Sequence, residues 1–346
     1  MNDQARSKPG SGPIRKIARA ILAQTAFTTV KAVFGLFQLL GPSAAFCLAQ
    51  ILSPIFLLPT APFRQRNFKR LLGPQGWTAG QYLRLHLAHG RYLSRLAVEI
   101  SRLFAMSRAE LAQKVSLAGE EHLRAALEKG RGVLLLSGHT GIWWHLPGIL
   151  ALRGYDVTAV FASAPARGWE EYFTALAGRF GVKLTFLGNG AGKTARQVFQ
   201  RNGIFYLVFD LPVRESRHPW VQFGDAAINL DHAPAVLASR YGVPVLQAES
   251  FQTGSGLSQI TLEPAAGPCA KQVNDSHEEA LRRWIEQLKR QITAHPEQWW
   301  LWNIARLRDA EVLAPKAESA QCDSPGWSER RERRPGPATF KTPPAL

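Results

Sequence analysis

His139 stands between two glycines in the stretch Gly132-Val-Leu-Leu-Leu-Ser-Gly-His139-Thr-Gly-Ile-Trp-Trp-His145, directly after an apolar run, Val133 to Leu136. A run this short and this apolar reads as a strand buried on both faces. Ligands of open α/β sheets bind just beyond the carboxyl ends of such strands, where this imidazole would be presented. A histidine there can serve as a base, since its ordinary pKa lies near neutrality. If a helix opens near Gly141, the free backbone N–H groups of Gly141 and Ile142 point back at the same spot and could steady an oxyanion. The plainer alternative is a histidine that only caps a helix. Asp210 ends a second apolar run, Ile204 to Phe209. If the two strands are parallel neighbours, its carboxylate reaches the edge that carries His139 and can orient the ring, as the third member of a nucleophile triad does. Otherwise it caps a turn before Pro212.

Other candidate chemistry is weaker. No Gly-x-Ser-x-Gly elbow is present, which disfavours a serine hydrolase. The glycine cluster Gly188-Asn-Gly-Ala-Gly192-Lys193-Thr194 opens a helix after a strand, but Leu187 stands where a phosphate-binding loop needs its first glycine. Lys193 at that helix start can still hold a lone phosphate group. His86 and His89 share a helix face without a third ligand nearby, so a packed or surface pair is favoured over a metal site. Cys47, Cys269 and Cys322 are too few and too far apart for a disulfide framework or a Cys-rich metal centre. No metal and no cofactor is expected.

The elements that must position His139 and Asp210 follow from alternating signals. Residues 78–116 have helical apolar spacing; Val115-Ser-Leu-Ala-Gly119 reads as a short strand and Glu120 to Lys129 as a charged helix. After the His139 strand come Val157 to Phe161, a helix over 168–179, Val182 to Leu187, a helix over 193–201, and the strand ending at Asp210. Ala233 to Tyr241 reads as a helix, Val243 to Leu246 as a buried strand, and about Glu278 to Ala294 as a last helix. This predicts an α/β fold: three layers, α/β/α, around a mostly parallel sheet, preceded by an amino-terminal membrane-associated helical segment.

Composition adds a partner class. The 346 residues carry 42 Lys and Arg against 26 Asp and Glu, a formal charge of +16. Such a surface favours polyanions: nucleic acid, an anionic membrane surface or an acidic carrier protein. With no zinc-knuckle spacing and no aromatic RNA-recognition signature, nucleic acid is disfavoured. From Ala32 to Leu58 no charged residue occurs, long enough to enter or cross a bilayer. Gly41-Pro42 interrupts the run, and basic residues flank both sides, which a single span does not explain. A kinked helix or helical hairpin dipping in from the cytoplasmic leaflet is expected, with a plain single span as the rival and a buried core helix as the bland alternative. The chain thus divides into a flexible basic arm (1–20), a membrane-embedded or membrane-associated helical segment (21–60), a catalytic domain (61–312), and a basic, Pro-rich tail (313–346) expected to be disordered.

Several stretches in this order resemble one family. They are Leu117-Ala-Gly-Glu-Glu-His-Leu-Arg-Ala-Ala-Leu, the His139 segment, Gly203 to Asp210, Phe223-Gly-Asp-Ala-Ala, Ala235 to Pro244, and Pro296-Glu-Gln-Trp-Trp-Leu-Trp with Arg306. The resemblance, over roughly residues 15–310, is to the lipid A biosynthesis acyltransferases, the lauroyl and myristoyl transferases of the lysophospholipid acyltransferase superfamily. It implies transfer of an acyl chain from acyl carrier protein or acyl-CoA to a hydroxyl of a membrane glycolipid, at the cytoplasmic face of the bacterial inner membrane. It also implies His139 as general base. Arg179, with Arg167 or Lys193, would hold phosphate on acceptor or donor. Trp143, Trp144, Leu146 and Ile149 would line an acyl groove. The family pattern has a carboxylate five residues after the histidine, and here that position is Trp144. Three readings follow: Asp210 supplies the charge, the enzyme is slow, or the chain is a catalytically inactive relative that binds lipid or a carrier protein.

Overall fold

Two breaks shape the amino-terminal part of the chain. In a computed structural model, in which residues 13–73, 77–187, 190–213, 220–253, 258–265 and 277–309 are described, α1 (Pro13–Leu39) and α2 (Pro42–Leu57) meet at Gly41-Pro42. Proline fits the first helical turn, where its missing N–H is not needed. Helix α1 starts inside the stretch expected to be a flexible arm; residues 1–12 of that arm and 310–346 of the expected tail lie outside the described residues. Residues Ile17–Leu39 are long and apolar enough to cross a membrane, and only 11% of their most apolar window is buried, so α1 is not a core helix. Helix α2 continues into α3 (Ala61–Leu72) through an 87° bend.

The helix expected over 78–116 is two helices, α4 (Ala79–Leu103) and α5 (Arg108–Lys114). The cause is local: Ser107 accepts from the Glu110 N–H while Glu110 reaches back to the Ser107 N–H, a capping box that restarts the chain as a new helix. The chain then runs through β1 (Val115–Ala118), α6 (Glu120–Leu127), β2 (Val133–Ser137), α7 (Leu146–Leu152), β3 (Val157–Phe161), α8 (Trp169–Arg179), β4 (Lys183–Phe186), α9 (Ala191–Gln200) and β5 (Ile204–Val208). It continues with β6 (Trp220–Phe223), β7 (Ala226–Asn229), α10 (Ala233–Tyr241), β8 (Val245–Gln252), β9 (Ser258–Pro264) and α11 (His277–Ala294). Two single 3-10 turns, Pro296–Gln298 and Trp300–Asn303, lead to β10 (Arg308–Asp309).

Seven strands form the main sheet in the order β1-β9-β8-β2-β5-β3-β4. Its neighbours are parallel except β8 and β9, which pair as an antiparallel hairpin. Side chains of a strand alternate between faces. Leu134 and Leu136 accordingly pack into one core with α9, α10, α11 and Trp299, while Val133 and Leu135 pack into the other with α5, α7 and α8. The expected three layers follow. All four side chains are fully buried, each contributing roughly 1.5–3 kcal/mol relative to exposure. This fixes β2 in the middle of the molecule. A smaller sheet of β6, β7 and β10 stands apart from it.

Candidate active site

Register brings the two candidate residues together. Strands β2 and β5 are adjacent and parallel, with Ser137 opposite Val208. Two residues further on each chain, His139 and Asp210 leave the sheet side by side. The Asp210 carboxylate is fully buried and receives three hydrogen bonds. His139 Nδ1 lies 2.5 Å from Oδ1, the His139 backbone N–H donates to Oδ2 at 2.9 Å, and the Trp299 indole N–H donates to Oδ2 at 2.8 Å. With Nδ1–H held by the carboxylate, Nε2 is the nitrogen left to accept a proton. The ring is sandwiched: Trp300 stacks on it at 5.3 Å between centroids and Trp143 meets it edge-on at 5.3 Å.

The turn after His139 is clamped by the segment before Trp300. Trp300 N–H donates to the His139 carbonyl at 2.9 Å and Gly141 N–H donates to the Gln298 carbonyl at 3.0 Å. Gly141 has φ +54°, and a Cβ on it would lie 2.0 Å from the Ser250 carbonyl oxygen, so only glycine fits. The Tyr92 hydroxyl donates to the Gly141 carbonyl at 3.0 Å, and burial beside Asp210 pushes that phenol well above its ordinary pKa. These contacts correct the expected oxyanion hole. No helix opens at Gly141; α7 begins at Leu146, and the Gly141 N–H is already committed to Gln298. Ile142 is buried in the core beneath the turn.

His139 opens on a cavity of about 500 Å³, within the range of ligand sites, roughly 300–1,000 Å³. Its lining begins at residues just past the carboxyl ends of the strands, His139, Leu211 and Leu187. It ends at Leu111, Phe180 and Val182, at the opposite end of the sheet. At about 3.3 Å per strand residue, the slot is about 16 Å long between Val182 and Leu187. Trp143 and Trp144 line it; Trp144 packs against Phe161 and Phe173 at 5.2 and 5.8 Å. Leu146 and Ile149 are buried in the core and are not part of the lining. Val30 and Phe34 of α1 complete the wall, so the apolar amino-terminal helix is part of the site.

The expected basic residues separate by helix direction. Arg167 precedes α8 and Lys193 lies in the first turn of α9, so both are exposed on the side of the sheet where His139 emerges. Arg179 ends α8, which has run back to the other end of the strands, and its guanidinium donates to the Met106 carbonyl at 3.2 Å. It is not beside His139, which corrects the expected phosphate role. Helix α9 follows a strand as expected, although Gly188 and Asn189 of the glycine cluster lie outside the described residues. His86 accepts from Arg64 Nε at 3.1 Å and His89 Nδ1 bonds the Glu297 carbonyl at 2.9 Å. Burial first, and then Arg64, holds His86 down at about 4; burial holds His89 down at about 3. Both are packed neutral rings, and no group of three metal-ligating side chains occurs among the described residues.

Sequence reasoning missed Trp299, Trp300 and Tyr92 as partners of the site. The signal for the first two was the tryptophan-rich stretch Trp299-Trp300-Leu-Trp302, whose contact with residue 139 spans the length of the domain. Residues 64–308 match the profile of a family described as bacterial lipid A biosynthesis acyltransferase. No curated protein matches the chain.

Proposed function

Because the chain belongs to the bacterial lipid A biosynthesis acyltransferase family, we propose that it moves a fatty acyl chain from an acyl thioester to a hydroxyl of a membrane glycolipid such as a lipid A precursor. The donor is carried by acyl carrier protein or coenzyme A. The observation that carries this reading is a base held by a buried carboxylate at the mouth of a long apolar cavity. The acyl chain lies in the cavity with its thioester carbonyl at His139. His139 Nε2 takes the proton of the acceptor hydroxyl as its oxygen attacks the carbonyl carbon. The Asp210 carboxylate keeps the Nδ1–H tautomer and offsets the imidazolium charge. Collapse of the tetrahedral intermediate breaks the C–S bond, and the imidazolium returns its proton to the departing thiolate; ester and free thiol result.

Arg167 and Lys193, exposed on the side of the sheet where His139 emerges, bind phosphate on donor or acceptor. The positive charge of the chain suits both an acidic carrier and an anionic membrane surface. The exposed apolar residues Ile17, Ile21, Leu22, Ile51, Ile55 and Phe56 of α1 and α2 enter the bilayer from the cytoplasmic leaflet of the inner membrane. The test uses purified protein, an acyl thioester and an extracted glycolipid acceptor. Wild type transfers the acyl group and His139→Ala does not; equal, negligible transfer by both sinks the reading in favour of an inactive lipid-binding relative.

A further inference from the structure

Arg64, in the first turn of α3, is a buried cation without an anion. The residue is only 2% exposed. Its Nη1 donates to the Leu57 carbonyl at 3.0 Å, the Thr60 hydroxyl at 2.9 Å and the Asn303 side-chain oxygen at 2.7 Å, and its Nε donates to His86 Nδ1 at 3.1 Å. All four partners are uncharged, and no carboxylate among the described residues pairs with the guanidinium. Nη2 has no protein partner and, unlike Arg102 Nε, is open to solvent. His86 supplies a second free donor. Its neutral ring accepts at Nδ1, so the proton sits on Nε2, and that N–H is also unpartnered and open.

A charge taken out of water is costly unless an opposite charge offsets it. Holding Leu57, Thr60 and Asn303 together uses Nη1 alone, so those contacts leave Nη2 and the charge unexplained. Large apolar side chains are exposed beside each partner: Phe56 and Leu58 flank Leu57, Leu83 and Leu87 lie one helical turn apart with His86 between them, and Ile304 follows Asn303. Free donors beneath an apolar rim suit a molecule with an anionic head and hydrocarbon tails. A carboxylate binds arginine best through two parallel N–H groups of one edge, and Nε and Nη1 are already engaged. The oxygens of a phosphate can meet donors from two different residues and supply the missing charge. Asn303 closes the 3-10 turn that begins with Trp300, the ring stacked on His139, so about 6 Å of backbone separates this place from the wall of the acyl cavity.

We propose that Arg64 Nη2 and the His86 Nε2–H bind the phosphate of a membrane lipid whose tails lie over Leu83, Leu87 and Ile304, at a site separate from the acyl cavity. Anionic lipid would then be held by a defined pair of donors and not only by the diffuse positive charge of the chain.

The test uses full-length protein in a non-ionic detergent, without an acyl donor. Short-chain phosphatidic acid, the diacylglycerol with the same chains, and inorganic phosphate are titrated by calorimetry. Phosphatidic acid is expected to bind about tenfold or more tighter than either of the others. Arg64→Gln and His86→Phe should each remove most of that advantage. Arg66→Gln, which takes away an exposed charge two residues from Arg64, should leave it intact. Melting distinguishes a binding site from a structural brace: phosphatidic acid should raise the Tm of wild type and of Arg66→Gln but not of Arg64→Gln. If Arg64→Gln fails to fold, His86→Phe carries both comparisons, since phenylalanine keeps a ring packed on Phe68. Diacylglycerol binding as tightly as phosphatidic acid overturns the role of the phosphate, and inorganic phosphate binding as tightly overturns the role of the lipid. Equal weakening by Arg66→Gln, or an advantage that survives both Arg64→Gln and His86→Phe, overturns the site. Binding is read apart from acyl transfer, so either can fail without the other.

Discussion

Replacing Asp210 by asparagine changes one atom pair at the centre of the site and leaves its shape. The carboxylate now accepts three hydrogen bonds, two from His139 and one from Trp299. The amide keeps one oxygen and presents an NH2 where an acceptor was. If that oxygen stays on the His139 and Trp299 N–H groups, the NH2 faces Nδ1. Nδ1 must then become the acceptor, the proton moves to Nε2, and the base is gone. In the serine-protease triad the same change costs about ten-thousand-fold in kcat. Here the ring is additionally held by stacking on Trp300, so orientation survives and the tautomer is the main loss. A fall in kcat of about 10³–10⁴, or about 4–5.5 kcal/mol of barrier, is expected, with little change in KM. The assay is transfer of a labelled acyl group to extracted glycolipid, with thermal melting as a check on folding. Trp144→Phe is the companion, because its side chain touches the cavity and not the base. A folded Asp210→Asn protein that retains a tenth of wild-type kcat, or a Trp144→Phe protein equally impaired, would refute the reasoning.

Trp144→Glu, which puts a carboxylate back where the family pattern has one, should not rescue Asp210→Asn. The acid would sit among Phe161 and Phe173 without a partner, costing about 2 kcal/mol or more and lowering Tm. Recovery of activity in the double variant would show that residue 144 reaches Nδ1 after all. Gly141→Ala forces a Cβ to within 2.0 Å of a backbone carbonyl in a left-handed conformation; several kcal/mol of destabilisation is expected, read as loss of a cooperative melt. Acid should unfold the protein early. His89 and His145 are held at about 3 and about 4, so between pH 6.5 and 4 the unfolded chain binds protons that the native state refuses. Stability is full above pH 6.5 and declines below it, by up to about 1.4 kcal/mol per pH unit for each ring. Urea titrations at pH 7 and 5 check the slope, and equal midpoints would refute it.

The sheet was legible because buried parallel strands announce themselves as short apolar runs. β3 begins and ends where its apolar stretch does, and the His139–Asp210 contact follows once two such runs are made neighbours. What escaped the sequence depends on distant pairing or direction. β8 and β9 pair antiparallel on either side of Gly254-Ser255-Gly256, a turn-forming sequence passed over because the start of β8 alone reads as a short buried strand. The Gly141 N–H was expected to be free, but its partner is a carbonyl more than 150 residues away. Arg179 was grouped with Arg167 and Lys193 as a phosphate-holding residue by family resemblance alone. Helix direction could have excluded it, because a helix returning from the carboxyl end of a strand finishes at the other end of the sheet.

Moving the carboxylate from the turn to the neighbouring strand has a physical consequence for Trp144. Nδ1 carries one proton and needs one acceptor, and Asp210 provides it from a fully buried position with two further donors holding it still. A second carboxylate from residue 144 would demand its own partners among Phe161 and Phe173 in an apolar wall. With an indole there, residue 144 joins Phe161 and Phe173 in the lining instead. Orientation of the base and recognition of the chain then rest on different residues from different strands. Substitutions at 210 should therefore act on kcat whatever the donor. Those at 144 should act on KM and on which donor is preferred, a separation that a carboxylate shared by the same turn as the base would not permit.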